Sequence, residues 1–130
     1  EIAADYIAVR EGFGIRLADR ESVQIKMGEC AHDIAVGRLL VMHAAWQLDQ
    51  GQFARAEISS AKIHVAQTLH KVADTAIQLN GARGYSKDTV LEWIYRYARQ
   101  ARLVDGADEV HIMVLARQYA EHQTDFWKWG

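Results

Sequence analysis

Residues 22–50 read SVQIKMGECAHDIAVGRLLVMHAAWQLDQ, and residues 54–80 read ARAEISSAKIHVAQTLHKVADTAIQLN. In the first stretch Val23, Met27, Ala31, Ile34, Val41, Ala45 and Leu48 recur at spacings of three, four and seven. Ile58, Ala61, Val65, Leu69, Val72, Ala76 and Leu79 make a matching series in the second. Apolar residues at this period form one stripe of an α-helix, so two long amphipathic helices are expected. At 1.5 Å per residue each is about 40 Å long. Gly51 falls just past the first, where a left-handed cap belongs. A link this short makes the two helices antiparallel neighbours.

Outward from this pair, the helical reading extends to most of the chain. The 130 residues contain no proline, where average usage of about 5% would give roughly six or seven. Proline removes an amide donor and clashes with the preceding turn, so its absence favours unbroken helices. Residues 1–9 read as helical without a start signal, as if the chain opened in mid-helix. Further helices are expected over about 89–101 and 107–122. Between them lie three breaks rich in glycine and charge: REGFGIRLADRES, NGARGYSKD and LVDGADE. No stretch reads as a convincing strand or repeat. The expected fold is all-α, an antiparallel four-helix bundle over residues 1–122, with TDFWKWG in a tail over 123–130.

Composition narrows the function classes. Lys plus Arg is 15 and Asp plus Glu is 17, a formal net charge of −2. That balance argues against broad electrostatic binding of nucleic acid or an anionic membrane. No apolar run approaches the roughly 18 residues of a membrane span. Cys30 is the one cysteine, so an intrachain disulfide and a cysteine-rich metal cage are excluded. It sits in an apolar helical context and is expected to pack. Glu29-Cys30-Ala31-His32 is a Glu-x-x-His, but a di-iron bundle needs two such pairs and there is no second. Glu29 and His32 are expected on a solvated face, and no metal site is expected.

The three breaks carry what chemistry there is. Arg10-Glu11-Gly12-Phe13-Gly14 joins a planar fork of donors, suited to phosphate, to a ring that can cover a flat ligand. On local spacing alone it also reads as a loop whose Phe plugs the core and whose Arg is solvated. Gln78-Leu79-Asn80-Gly81-Ala82-Arg83-Gly84-Tyr85 offers exposed backbone amides to an anion, or is a plain glycine cap and turn. Asp105, before Gly106, is either a loop carboxylate able to take a proton or the N-cap of the last helix. In the second case Asp108, three residues on, would complete an approximate capping box.

Taken in order, the three breaks resemble the C-terminal helical domain of the flavin-dependent acyl-CoA dehydrogenases. Arg10-x-x-Phe13-Gly14 is similar to that family's R-x-x-F-G. Gln78-x-x-Gly81-Ala82-x-Gly84-Tyr85 is similar to its Q-x-x-G-G-x-G-aromatic, with Ala82 for the second glycine. Val104-Asp105-Gly106-Ala107-Asp108-Glu109-Val110 resembles its Y-E-G-T-S-Q-I region. Ala44-Ala45-Trp46-Gln47-Leu48-Asp49-Gln50-Gly51 and Ala61-Lys62 also match. The resemblance covers about residues 1–120. With His111 included, the third break is most similar to a branch carrying D-G-P-D-E-V-H.

This resemblance implies a function. Such a domain contributes FAD contacts, an oligomer interface and the carboxylate that takes the α-proton of an acyl-CoA thioester while a β-hydride passes to the flavin. It implies catalytic Asp105, one methylene shorter than the usual Glu. Arg10 and Phe13 would contact the pyrophosphate and adenosine end of a neighbouring subunit's FAD, joined by Gln78, Gly81 and Ala82. Ala107 and Glu109 would lie near the adenine side of the subunit's own FAD, where Thr and Gln are frequent. Expected partners are the acyl-CoA substrate, other domains of the same polypeptide, and further copies in a homodimer or homotetramer. Fatty acid metabolism and an intracellular setting follow, cytoplasmic in a bacterium and mitochondrial or peroxisomal in a eukaryote. This chain by itself would be inactive. The rival reading is a non-catalytic helical assembly module that keeps the bundle without flavin.

Overall fold

The computed structural model describes residues 1–122 and Asp125. The tail expected over 123–130 therefore lies outside the described residues, apart from Asp125. The helices are α1 (Ile2–Val9), α2 (Glu21–Asp49), α3 (Arg55–Asn80), the single turn α4 (Ala82–Tyr85), α5 (Leu91–Ala101) and α6 (Asp108–His122). The all-α class is as expected. The four principal helices start within two residues of the expected positions and end within one. At the end of α2, Gly51 has φ 77°. Its N–H donates to Leu48 O, and the N–H of Gln52 donates to Gln47 O. This is the left-handed cap expected there.

One expectation is overturned. Residues 11–16 form a small antiparallel hairpin, β1 (Glu11–Gly12) and β2 (Ile15–Arg16), with Gly12 opposite Ile15. Phe13 and Gly14, at φ 54° and 81°, are its two turn residues. Positive φ at both positions is the tight turn whose twist matches paired strands. A 3-10 turn, Leu17–Asp19, leads from the hairpin into α2. The strands escape the sequence because they are two residues long and lack the usual Asn-Gly marker.

Helix α3 is the axis of the domain, with α1, α2, α4, α5 and α6 all packed on it. The α2–α3 contact uses small side chains. On α2 the buried residues are Val23, Cys30, Gly37 and Ala44, each seven apart. On α3 they include Ser59, Ala61, Ala66 and Ala73. A Cβ on Gly37 would stand 3.3 Å from Val65 Cγ2, so glycine lets the two backbones approach. Cys30 packs in this seam, as expected. At one end of the axis Ile7, Val23 and Leu79 form a core cluster, joined by Ala3, Leu17, Ala18 and Met27. It ties α1, the 3-10 turn and the start of α2 to the end of α3.

The expected apolar stripe of α2 is largely not the buried one. Val23 is buried and Met27 half-buried, but Ile34, Val41 and Leu48 are 38%, 50% and 50% exposed, and Ala31 and Ala45 are exposed too. In α3, Ala61 and Leu79 are buried as expected, while Ile58 and Val65 are exposed. No described helix is long and apolar enough to cross a membrane.

Candidate functional site

The hairpin presents its arginine and its phenylalanine outward. Phe13 is fully exposed at φ 54°, a conformation that costs a bulky residue roughly 1–2 kcal/mol. The alternative of a Phe plugging the core is thereby ruled out. Beneath it, the Arg20 guanidinium donates to Gly12 O and sits 5.8 Å from the centre of the Phe13 ring, bracing the turn. Arg10 is exposed, and its side chain has no hydrogen-bond or ion-pair partner among the described residues. Arg16, nearby, is committed to Asp19 at 2.9 Å.

The second break lies at the same end of the axis. Gly81 closes α3 at φ 61°, ψ −144°, a region that essentially only glycine adopts. Gln78, Gly81 and Ala82 are all exposed. Gly84 has a different duty. It is buried, and a Cβ there would stand 2.8 Å from both Asn80 Cβ and Ile77 O. Glycine lets α4 fold back on the last turn of α3. Arg83 lies 5.9 Å from the centre of the Tyr6 ring, linking α4 to α1. The core cluster of Ile7, Val23 and Leu79 lies beneath, so the structure brings the first two breaks to one end of α3.

Asp105 is elsewhere. Its turn packs against Ser59 and Lys62, near the start of α3. Lys62 and Gln78 are sixteen residues apart on that helix, a rise of about 24 Å. Asp105 is exposed and lines a shallow groove of about 220 Å³ with Lys62, Tyr97, Gln100, Ala101 and Val104. The capping box does not form. Helix α6 begins at Asp108, and the Ala107 carbonyl accepts the first amides, from Val110 and His111. Asp105 stands outside the helix in the left-handed region at φ 55°, followed by Gly106 at φ 98°. Its carboxylate makes no hydrogen bond among the described residues. Ala107 is half-buried at the base of the turn, and Glu109 is exposed on the first turn of α6.

Asp108, the would-be second member of the box, turns inward. It is 4% exposed, and its Oδ2 accepts from Arg102 Nε at 2.7 Å and Gln67 Nε2 at 3.3 Å. Burial opposes its charge. The bonds from Arg102 and Gln67 and the charges of Arg102 and Lys62 outweigh that and hold the carboxyl below its ordinary range. Sequence reasoning missed this lock between α3, the end of α5 and α6. It also missed Ser59 and His111 as supports of the Asp105 turn: Gln67 and Ser59 come from α3, far away in sequence, and Arg102 and His111 meet their partners six residues away only because of how the break turns.

A second groove, about 330 Å³, lies between α2 and α3 and is lined by Asp33, His64, Gln67, Thr68 and Lys71. Its charges satisfy one another: Lys71 Nζ meets Asp33 at 2.8 Å and Glu29 at 3.5 Å. Glu29 and His32 are both exposed, as expected. Among the described residues, no group of three or more His, Cys, Asp or Glu is placed to hold a metal ion.

These features define a helical domain with two separate exposed clusters of loop residues. Residues 1–120 match the model of the acyl-CoA dehydrogenase C-terminal domain. The chain belongs to that family. It is 37% identical over 119 residues to (R)-benzylsuccinyl-CoA dehydrogenase of Thauera aromatica, covering 91% of this chain and 29% of that protein. Acyl-CoA dehydrogenase family member 11 of Gallus gallus is 38% identical over 119 residues, covering 90% of this chain and 15% of that protein. An acyl-CoA dehydrogenase crystal structure from Geobacillus kaustophilus superimposes with a TM-score of 0.86 at 29% identity, covering 90% of this chain and 31% of that one. The chain thus spans less than a third of the length of these relatives.

Proposed function

We propose that this chain is the C-terminal domain of an FAD-dependent acyl-CoA dehydrogenase, and that Asp105 is its α-proton acceptor. The observation that carries the reading is the state of Asp105. Its carboxylate has no bond to the described residues, stands at the rim of a groove, and is held in a left-handed turn outside the helix. A residue serving only as a cap would bond a backbone amide, and this one does not. Tyr97, Ala101 and Val104 give the groove apolar walls suited to an acyl chain. Loss of an α-proton to Asp105 and of a β-hydride leaves a carbon–carbon double bond conjugated with the thioester. Bound FAD supplies the acceptor for that hydride.

The residues present fit such a cofactor. An unpaired guanidinium at Arg10 and an outward ring at Phe13 suit a pyrophosphate beside a flat heterocycle, while Gly81, whose N–H donates to Gln78 O and whose carbonyl accepts from the Gly84 N–H, gives room for close approach rather than a free donor. A Cβ on Gly81 would meet nothing within 4 Å, so the approach to its backbone is clear. Gln78 and Ala82 flank that approach. Because this cluster and Asp105 lie at opposite ends of α3, we assign them to two different flavins. The hairpin end serves a neighbouring subunit's FAD, and the Asp105 end, with Ala107 and Glu109, serves the subunit's own. The outward apolar side chains of α2 then meet other domains or further copies.

Asp105→Asn in the intact protein tests the reading. Asn tolerates the left-handed region as Asp does, so the turn and the flavin content are expected to survive. Anaerobic bleaching of the flavin by acyl-CoA is expected to slow by about a hundred-fold or more. Asp105→Glu is expected to retain some turnover. Wild-type bleaching by Asp105→Asn would place the base elsewhere. Intact protein purified without flavin would favour the non-catalytic module.

A further inference from the structure

The turn that carries Asp105 is held from three sides. Asp105 and Gly106 both have positive φ, a pair of conformations that an unrestrained chain populates sparsely. Lys62 Nζ donates to Ala101 O at 2.7 Å and to Gly106 O at 3.4 Å, closing the turn at its base. His111, in the first turn of α6, brings Nε2 to Asp105 O at 3.2 Å and Nδ1 to Ser59 Oγ at 3.2 Å. A backbone carbonyl only accepts, so Nε2 carries the hydrogen. In the neutral ring Nδ1 then accepts from the Ser59 hydroxyl, which selects one tautomer. Ser59 is 3% exposed. The imidazole also fills the space beside Gly106, where a Cβ would stand 2.7 Å from Nε2. Ser59 and Lys62 lie one turn apart on α3, so the turn is anchored to the central helix of the domain.

We infer that Lys62, Ser59 and His111 are positioning residues. They fix the Asp105–Gly106 turn and so set the distance and direction at which the carboxylate meets the α-carbon of a thioester. The inference rests on the reading of Asp105 as proton acceptor. It also explains how a carboxylate one methylene shorter than Glu is held at a constant reach: the backbone beneath it is pinned.

The test uses the intact flavoprotein and four variants: His111→Ala, His111→Gln, Ser59→Ala and Asp105→Asn. For each, the bleaching rate per bound flavin at saturating acyl-CoA is measured beside thioester affinity, flavin content and thermal midpoint. A misplacement near 1 Å slows a positioned reaction by about a hundred-fold, so His111→Ala is expected to bleach about 10- to 100-fold more slowly at near-normal thioester affinity. In His111→Gln the amide N–H restores a donor to Asp105 O, and at least about tenfold of the rate should return. Ser59→Ala, which releases the tautomer, should fall between. Wild-type bleaching by His111→Ala and Ser59→Ala, with Asp105→Asn inactive, overturns the positioning role and leaves the base standing. A lower thermal midpoint with an unchanged rate per flavin overturns it too. Wild-type bleaching by Asp105→Asn overturns the base and the positioning role together. If His111→Ala does not fold, Ser59→Ala decides by the same criteria, since it removes a hydroxyl and no backbone contact.

Discussion

Phe13 holds a backbone conformation that suits asparagine or glycine, yet its ring faces solvent and takes no part in the core. The Arg20 guanidinium over the ring offsets about 0.5–1 kcal/mol, less than the roughly 1–2 kcal/mol of strain, so the remainder at this position points to a ligand. Phe13→Asn separates the two effects. Asn-Gly is the preferred pair for this turn, so the hairpin should gain about 0.5–1 kcal/mol, read as a small rise in the thermal midpoint of the apoprotein. Flavin retention in the intact protein should fall in the same variant. An unchanged flavin content would remove Phe13 from the cofactor site. The neighbouring arginines make a second contrast. Arg16 is already paired with Asp19, whereas Arg10 has no partner among the described residues. Arg10→Ala should therefore weaken FAD retention by roughly ten- to a hundred-fold, the worth of a charge-assisted bond. Arg16→Ala should leave retention nearly unchanged. Dialysis followed by flavin fluorescence reads both.

At the scale of elements, Asp108 joins three of them, and its charge makes the junction depend on pH. Its folded carboxyl titrates below the ordinary range, so it binds a proton less readily in the folded than in the unfolded chain. The stabilisation is fully present above the unfolded value near 4 and is lost as pH falls through the folded value. Asp108→Asn should cost about 1–3 kcal/mol at pH 7, with a gap to wild type that narrows below pH 4. Urea unfolding at pH 7 and pH 3 measures this, and a gap independent of pH would count against the ion pair. The α2–α3 seam offers a test of packing. At Gly37 an added Cβ meets Val65 at 3.3 Å, so Gly37→Ala sets a gain in helix propensity of about 1 kcal/mol against slight crowding and should be near neutral. Gly37→Val should cost about 1–3 kcal/mol by overpacking. The helices were legible in the sequence because proline is absent and residues that favour helices are abundant. Which face of α2 is buried was not. Periodicity selects large apolar residues such as Ile34, Val41 and Leu48, whereas two helices in close contact need small ones, here Cys30, Gly37 and Ala44. The large residues stay exposed on the outward face of α2.

At the scale of the whole molecule, the position of each expected site residue could be read in advance only as far as its loop. That Asp105 and the Arg10–Phe13 hairpin lie at opposite ends of α3 depends on which turns of a 26-residue helix they touch, and no local spacing records that. The same geometry sets the limits of the chain by itself. Its accessible surface is 9221 Å², against about 6,900 Å² for a compact monomer of 14.7 kDa. Leu39, Met42 and Trp46 are 66%, 67% and 49% exposed on α2. Covering the part that each leaves exposed would contribute about 1–2 kcal/mol, which favours association over solvation. The chain of residues 1–130 alone is therefore expected to self-associate and, on the proposed reading, to retain no flavin, since each end of α3 would offer only one side of a cofactor site. Leu39→Glu with Met42→Lys changes two exposed side chains and should leave helix content intact. In sedimentation velocity the variant should run as a smaller species than the wild-type chain, and in the intact protein it should shift the oligomer towards its protomers. An unchanged mass in both would mean that the outward face of α2 is not an interface. A stoichiometric yellow complex formed by the chain alone would mean that one end of α3 suffices to hold the cofactor.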